Sequence, residues 1–567
     1  MVSIFNGRLK ISRICAEMEE LAKHGVMFPP EILGLNEDQV RDFKLVDPWA
    51  DKCIPSGGYI ENKDPMGRRN GRQPHKHLQD MISKTIEDVK AMTSRKLVDQ
   101  NEQVTIKTIH EAIKLLKGAI TIVYPMNLPP HDPIRLVYGQ GSECNTHTHY
   151  PSLRDVLPRS TDRWILGQRL DGGAEGLWRI HNKLYDLTKF VENHPGGKEW
   201  LEMTQNTDIT AAFEAHHISL AAEKLLPKFY VRDAQTPSHS LLTYHENGFY
   251  RTLKRRVREE IKNIPKIAKK KSKLILDCFI LGTFISSMLA TAYCPFIFVA
   301  ALFLTWTTIA AHNFFHQRNN WRMYAFNLSM MNHREWRISH ALSHHLHPNT
   351  LVDMELSIAE PFLSWQSKEK SILRYISWTV SPVFYASLYI TQYLSRVLDA
   401  IERSRLHTPL WQEVIPFSLP LAMLLTSSLP VISTLKIWLM IVVIASFFFG
   451  VTAFNAAHHH PEIYHHGDTP REDLDFGKFQ IDTVMERQEV TGSLFLVLTT
   501  FGDHGLHHLF PTLDHAELPY LYPVFRQVCK EFGMNLRFTS QWDLFKGQFR
   551  QLLKTVPNMI APDKVRK

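Results

Sequence analysis

The sequence predicts a multidomain chain: a soluble α-rich N-terminal segment, a small α+β module, and an all-α membrane domain of four spans with a cytosolic histidine-rich cap. Three observations carry that expectation. The length of 567 residues corresponds to about three or four domains at the usual 100 to 200 residues each. Two pairs of long apolar stretches occur after residue 273. The 30 histidines concentrate in a few short stretches after residue 310.

Residues 1–143 read as helical text broken by turns. "CAEMEELAKH" and "HKHLQDMISKTIEDVKAM" are amphipathic, while "PSGG" and "MGRRNGRQP" interrupt them. Residues 144–163 turn polar and irregular, as a linker does. Residues 164–235 alternate short β-like runs ("WILGQRL", "LWRIHNKLYDL") with short helical ones ("KEWLEMTQ", "ITAAFEAHH"), which predicts the α+β module. The opening "MVSIFNGRLKISRI" lacks the apolar core of a secretory signal, so membrane insertion is expected from within the chain.

The membrane domain is expected over 255–550. A basic run, Lys266 to Lys273, precedes Leu274–Ala292, whose 19 residues carry one acid, Asp277, and suffice to cross a bilayer core. Pro295 turns the chain into a second run, Phe296–Ala311. Val414–Leu429 and Ile432–Phe454, divided by Pro430, form the second pair. Leu373–Leu398, rich in Tyr, Trp and Ser, is expected to lie in the interface. Two hairpins leave residues 1–273, 312–413 and 455–567 on one side, and the lysine run assigns that side to the cytosol. The mean hydropathy of −0.19 fits such spans joined to polar soluble parts.

A formal charge of +8 is modest for this length, and no nucleic acid partner is expected. The six cysteines, Cys15, Cys53, Cys144, Cys278, Cys294 and Cys529, form no CxxC pair. Neither a disulfide framework nor a zinc site follows from them, and reduced thiols on a cytosolic face fit best.

The string "WRIHNKLYDLTKFVENHPGG" runs from Trp178 to Gly197, and "DITAAFEAHHIS" follows from Asp208. A haem iron with two axial imidazoles needs two histidines facing each other across an apolar slot. His194 stands in a Pro-Gly-Gly turn whose glycines permit close backbone approach, and His217 is the candidate opposite it. "YDLTKFVENHPGG" resembles the cytochrome b5 family nearly throughout. That resemblance implies a bis-histidine haem b with His194 as the first axial ligand. The family presents the second after a "FE" dipeptide, and fused members commonly place it four residues beyond the Phe. Counting from Phe213 this is His217, with His216 the alternative; Phe190 and Phe213 would wall the pocket. Bis-histidine ligation leaves no open iron position, so this haem is expected to relay electrons.

Three histidine clusters follow. "HNFFH" supplies His312 and His316, one helical turn apart beyond the second span; "HALSHH" supplies His340, His344 and His345; "HGLHHLFP" supplies His504, His507 and His508. At spacings of i, i+3 and i+4 these rings are expected to converge on one helix face. Buried imidazole nitrogens need partners, and metal ligation provides them. Neutral imidazole suits Fe, Zn and Cu alike. The order HxxxH, HxxxHH, HxxHH, with a hairpin between the second and third, resembles the membrane fatty-acid desaturase and hydroxylase superfamily. The resemblance implies two non-haem iron ions held chiefly by histidine. Many members add a ninth histidine after the last span, where "FNAAHHHPEIYHH" offers His458 or His459. His460, His465 and His466 read as solvated or as outer partners of the ligands, as does His347, with Asp353 and Glu355 possible orienters of ligand rings. Front-end desaturases with a fused haem domain often carry Gln at the first position of the third box. Here that position is His504, so the resemblance does not extend to front-end regiochemistry.

The resemblance also implies O2-dependent desaturation of a fatty acyl lipid or acyl-CoA held in an apolar tunnel. Electrons would come from a separate NADH-cytochrome b5 reductase-like donor, in the endoplasmic reticulum membrane with haem domain and boxes cytosolic. The alternatives are a fatty-acyl hydroxylase of the same superfamily, since the boxes do not fix the fate of the substrate radical, and a non-enzymatic membrane haem or electron-transfer protein.

"NGRLKISRICAEMEELAKHG" from Asn6, "CIPSGG" from Cys53, "GRRNG" from Gly67 and "TIVYPMNLPPHDPIR" from Thr121 resemble the Kurly family of cilia- and flagella-associated proteins. The resemblance covers only part of that family's sequence. We therefore expect two neighbouring genes joined in one gene model, the alternative being a real fusion, with a structural role for the segment and none in catalysis for His131. A peptide spanning residues 130–170 would overturn that expectation.

Overall fold

The computed structural model describes residues 161–564 apart from 237, 239, 241, 361, 368–371 and 404–409. The Kurly-like segment, His131 and the linker up to residue 160 lie outside the described residues.

A small module opens the described chain. Three short strands, β1 (Trp178–Ile180), β2 (Lys183–Tyr185) and β3 (Tyr230–Asp233), form an antiparallel sheet in the order β1-β2-β3. Its apolar face buries Trp178, Ile180 and Tyr185 with Leu187, Leu201, Ile209 and Phe213. Asp208 starts the helix α1 (Thr210–His216): its Oδ1 accepts from the Thr210 amide at 2.9 Å, satisfying a donor that a helix start leaves open. "WILGQRL", expected as a strand, lies instead in a helix, Thr161–Asp171. Thr161, Trp164, Ile165 and Gln168 are buried, at i, i+3, i+4 and i+7, a helical stripe. Trp164 Nε1 donates to the Val352 carbonyl at 2.8 Å, so a surface outside the module selects the helix.

Helix α2 (Phe249–Glu260) buries Phe249, Tyr250, Leu253, Lys254 and Val257. Three helices among the described residues are long and apolar enough to cross a membrane: α3 (Ile267–Ala290), α4 (Pro295–Phe315) and, after α5 (Ser377–Arg403), α6 (Val431–Ala453). The 24 residues of α3 rise about 36 Å at 1.5 Å each, against a hydrocarbon core of about 30 Å. Pro295 begins α4, where the missing N–H costs nothing. Thr283 and Thr307 join α3 to α4 at 2.9 Å. Leu281, Ile285, Phe298, Leu425, Val431 and Ile432 are exposed, an apolar outer surface suited to lipid.

The stretch expected as the third span is broken into Leu410–Val414, a 3-10 turn Ile415–Phe417, and Ser418–Thr426. Pro416 and Pro420 each remove a helical donor, which accounts for the interruption. The stretch expected in the interface is a 3-10 turn, Ile372–Ile376, running into α5, whose 27 residues pack along α6. Gly450 permits this approach, because a Cβ there would fall 2.5 Å from the Tyr385 Cβ. The Ser446 hydroxyl donates to the Tyr385 carbonyl at 2.6 Å and accepts from the Tyr389 amide at 3.1 Å, inserting itself between an i, i+4 pair of α5.

Candidate haem and metal centres

His194 follows the 3-10 turn Thr188–Asn193, and His217 caps α1. Each ring is fixed through Nδ1: His194 to the Gly197 carbonyl at 2.9 Å, His217 to the Phe213 carbonyl at 3.0 Å. Carbonyls only accept, so both Nδ1 atoms carry the hydrogen and both Nε2 atoms present lone pairs. The ring centroids stand 6.2 Å apart, which suits one metal ion between two imidazoles at about 2 Å from each nitrogen. Phe190 lies 6.0 Å from the His194 ring and Phe213 lies 4.8 Å from the His217 ring. Burial pushes the His217 imidazole down to about 4, keeping it neutral. These residues fit a bis-histidine haem.

The eight box histidines and His458 form two buried groups. In the first, ligand atoms of His312, His316, His340, His345 and His507 all lie within 4.8 Å of one another; in the second, those of His344, His458, His504 and His508 do. The boxes do not present one face, as the spacing suggested. Adjacent rings diverge: His344 and His345 enter different groups, and so do His508 and His507. The backbone accounts for the first split. Arg337–His344 is π-helical, and the His345 amide donates to the His340 carbonyl at 2.8 Å, five residues back. That wider turn brings the Nε2 atoms of His340 and His345 to 3.0 Å and leaves His344 turned toward His458, 4.4 Å between centroids. Such turns recur at functional sites. The second split follows from the helix α7 (His504–Leu509), whose i and i+4 rings share a face while His507 is turned from it.

Fixed outer partners set the tautomers. His340 Nδ1 meets Glu355 Oε1 at 2.5 Å and His344 Nδ1 meets Asp353 Oδ2 at 2.9 Å. His458 Nδ1 donates to the Thr483 carbonyl at 2.8 Å, and His504 Nδ1 to the Phe501 carbonyl at 3.0 Å. His508 Nδ1 pairs with Gln480 Oε1 at 3.0 Å. The Nε2 atoms of His458 and His504 nonetheless stand 2.8 Å apart. With both hydrogens committed to carbonyls, two lone pairs face each other, and a bound cation relieves the repulsion. Burial pushes the imidazoles of His345, His458, His504, His507 and His508 well below their ordinary value, so they are held neutral, the form that ligates a metal. Burial also disfavours a charged His344, but Glu355 and Asp353 outweigh it and raise that ring to about 9. A cation at its Nε2 answers the same two carboxylates.

His459 does not join either group. Its ring stacks on Trp365 at 4.0 Å and 10°, on an aromatic shelf that Trp365 forms with Phe454. His460 and His465 are buried rather than solvated. His216 lies outside the slot between His194 and His217, its Nδ1 donating to the Ala212 carbonyl at 2.8 Å. Sequence reasoning did not reach Gln480, or His515, whose buried ring lies 4.4 Å from His507. Gln480 sits in no motif. His515 could have been noticed as one more histidine seven residues beyond the third box.

A small α+β haem-type module joined to apolar helices that end in buried histidine groups defines a class: the chain belongs to the cytochrome b5-domain fatty acid desaturases, a family of membrane proteins. Residues 287–540 match the fatty acid desaturase family and residues 168–235 match the cytochrome b5-like heme/steroid binding domain. The cytochrome b5-related protein of Drosophila melanogaster is 46% identical over 434 residues, 75% of this chain and 99% of that protein. The N-terminal region is similar to cilia- and flagella-associated protein 298. The Drosophila melanogaster form is 48% identical over 193 residues, 34% of this chain and 64% of that protein, and the Homo sapiens form 49% over 135 residues, 24% and 47%. The chain thus spans less than two thirds of those cilia-associated relatives. No solved structure matches.

Proposed function

We propose that this protein desaturates fatty acyl chains with O2, taking electrons through its own haem module. The observation that carries the reading is the convergence of nine histidines into two buried groups, with the outer nitrogens of His340, His344, His458, His504 and His508 already committed. His194 and His217 would hold haem b. His312, His316, His340, His345 and His507 would hold one iron, and His344, His458, His504 and His508 the other. When bound, the haem stores and passes single electrons and the iron pair activates O2.

The chain's own residues do the rest. Glu355, Asp353, Gln480 and the carbonyls of Thr483 and Phe501 hold the rings of His340, His344, His508, His458 and His504 each in one tautomer and orientation. The apolar helices α3, α4 and α6 would hold the acyl chain and keep water from the site. The domain division 1–143, 144–163, 164–235 and 255–550 belongs to this reading. So do a four-span topology completed by residues 410–426, a cytosolic face in the endoplasmic reticulum, and an NADH-cytochrome b5 reductase-like donor. Expression in yeast with lipid profiling tests it. A new double bond that disappears in His344→Ala and His508→Ala supports the reading; a hydroxylated chain assigns the hydroxylase instead, and unchanged lipids in all cases overturn it.

A further inference from the structure

The haem module is held on the desaturase part by fixed contacts close to both candidate centres. The Asn319 amide donates to the Gly196 carbonyl at 3.1 Å. Gly197, at φ +116°, leaves no room for a Cβ, which would fall 2.5 Å from Asn319 Nδ2. Tyr250 donates to the Glu214 carbonyl at 3.0 Å and Thr512 to the His216 carbonyl at 3.3 Å. The loop that carries His194 is therefore seated on Asn319, three residues beyond the first box, and the helix end that carries His217 on α2 and on Thr512, four residues beyond the third box.

A continuous series of contacts runs through that seat. His216, the peptide neighbour of His217, lies against Trp200 at 5.3 Å between centroids, the two rings tilted by 46°. The Arg337 guanidinium lies over the Trp200 ring, 4.7 Å from its centroid. Arg337 is fully buried; its Nη1 pairs with Glu199 at 2.9 Å, and its Nε donates to the Phe315 carbonyl at 3.0 Å. Phe315 is the peptide neighbour of His316. Nδ1 of His216 donates to the Ala212 carbonyl, but its Nε2 is shielded from solvent and has no hydrogen-bond partner, so hydrogen bonding accounts for only one of the two ring nitrogens.

We propose that the series His217, His216, Trp200, Arg337, Phe315 and His316 is the route by which electrons cross from the haem module to the first histidine group. The inference rests on the proposed function. In each passage a ferrous haem loses one electron and becomes ferric, and a ferric non-haem iron at the histidine group gains it and becomes ferrous. The electron originates in NADH through the reductase. The module works as a seated relay and not as a tethered shuttle, so its rate does not depend on diffusion of the module.

The test uses the full chain in detergent with haem and iron bound. The haem is reduced without oxygen, and its reoxidation by the ferric centre is followed at the haem absorption bands. His216→Leu and Trp200→Leu are expected to slow reoxidation by at least an order of magnitude, with haem content, iron content and haem midpoint potential unchanged. His216→Phe, which keeps an aromatic ring on Trp200, is expected to restore most of the rate. Wild-type rates in both Leu variants overturn the route while leaving the proposed function intact. A wild-type chain that binds haem and iron but never reoxidises its haem overturns both.

Discussion

Glu355 borders both histidine groups: its Oε1 lies 2.5 Å from His340 Nδ1, in the first, and its Oε2 lies 3.7 Å from His344 Nδ1, in the second. Burial alone would raise this carboxyl, but His344 and His340 outweigh it and hold it down at about 2. It is therefore an anion beside both ligands, able to fix their rings and offset metal charge. Glu355→Gln keeps the shape and removes the charge. We expect iron affinity to fall by about 10- to 100-fold, the usual effect of losing such a partner, and to fall at both sites. Iron retained during dialysis against graded chelator measures it; loss of one iron only would show that Glu355 serves a single group.

His458 and His459 are neighbours with opposite placements, one in the second group and the other stacked on Trp365. His458→Ala is expected to lose one iron and all desaturation. His459→Ala is expected to keep both irons and to lose the stacking, about 0.5 to 1.5 kcal/mol, together with the packing of the buried ring. Iron analysis with thermal unfolding separates the two, and iron loss in the His459 variant would mean that the ring serves the metal through Trp365.

Much of this was legible in the chain because short-range rules generate it. Apolar length marked α3, α4 and α6, and the Pro-Gly-Gly turn marked His194. What escaped depends on backbone detail or distant partners. No spacing rule announces that Arg337–His344 winds as a π-helix, yet that winding decides which group His344 and His345 enter. Apolar composition could not show that Pro416 and Pro420 break the third stretch. Trp164 reads as strand until the Val352 carbonyl is there to meet its indole. His458 and His459 are equivalent in sequence, and only the Trp365 shelf tells them apart.

The haem slot predicts a clean separation of cofactors. His194→Ala and His217→Ala each remove one of two opposed rings whose outer nitrogens are already fixed. Haem absorption should vanish in both while non-haem iron stays at the wild-type level, because neither side chain enters a histidine group. Desaturation should fail for want of electrons. Activity surviving in either variant would mean that another donor reaches the iron directly.

Glu214 ties the haem module to α2. It is almost fully buried, meets Lys254 Nζ at 2.9 Å and His181 Nε2 at 2.9 Å, and also pairs with Arg251. Burial would raise its carboxyl, but the His181 hydrogen bond with Lys254 and Arg251 overrides this and holds it at about 2, against an ordinary 4.5. The folded state thus favours the ionised form. The stabilisation is complete above pH 4.5 and is lost as pH falls toward 2, a contribution on the order of 3 kcal/mol. Glu214→Gln leaves Lys254 buried without its anion, and should cost about 3 to 5 kcal/mol at neutral pH. Acid also charges the ligand histidines, so the informative quantity is the difference in denaturation midpoint between wild type and variant. That difference should shrink steadily between pH 4.5 and 3. A difference independent of pH would mean that Glu214 acts through packing and not through its charge.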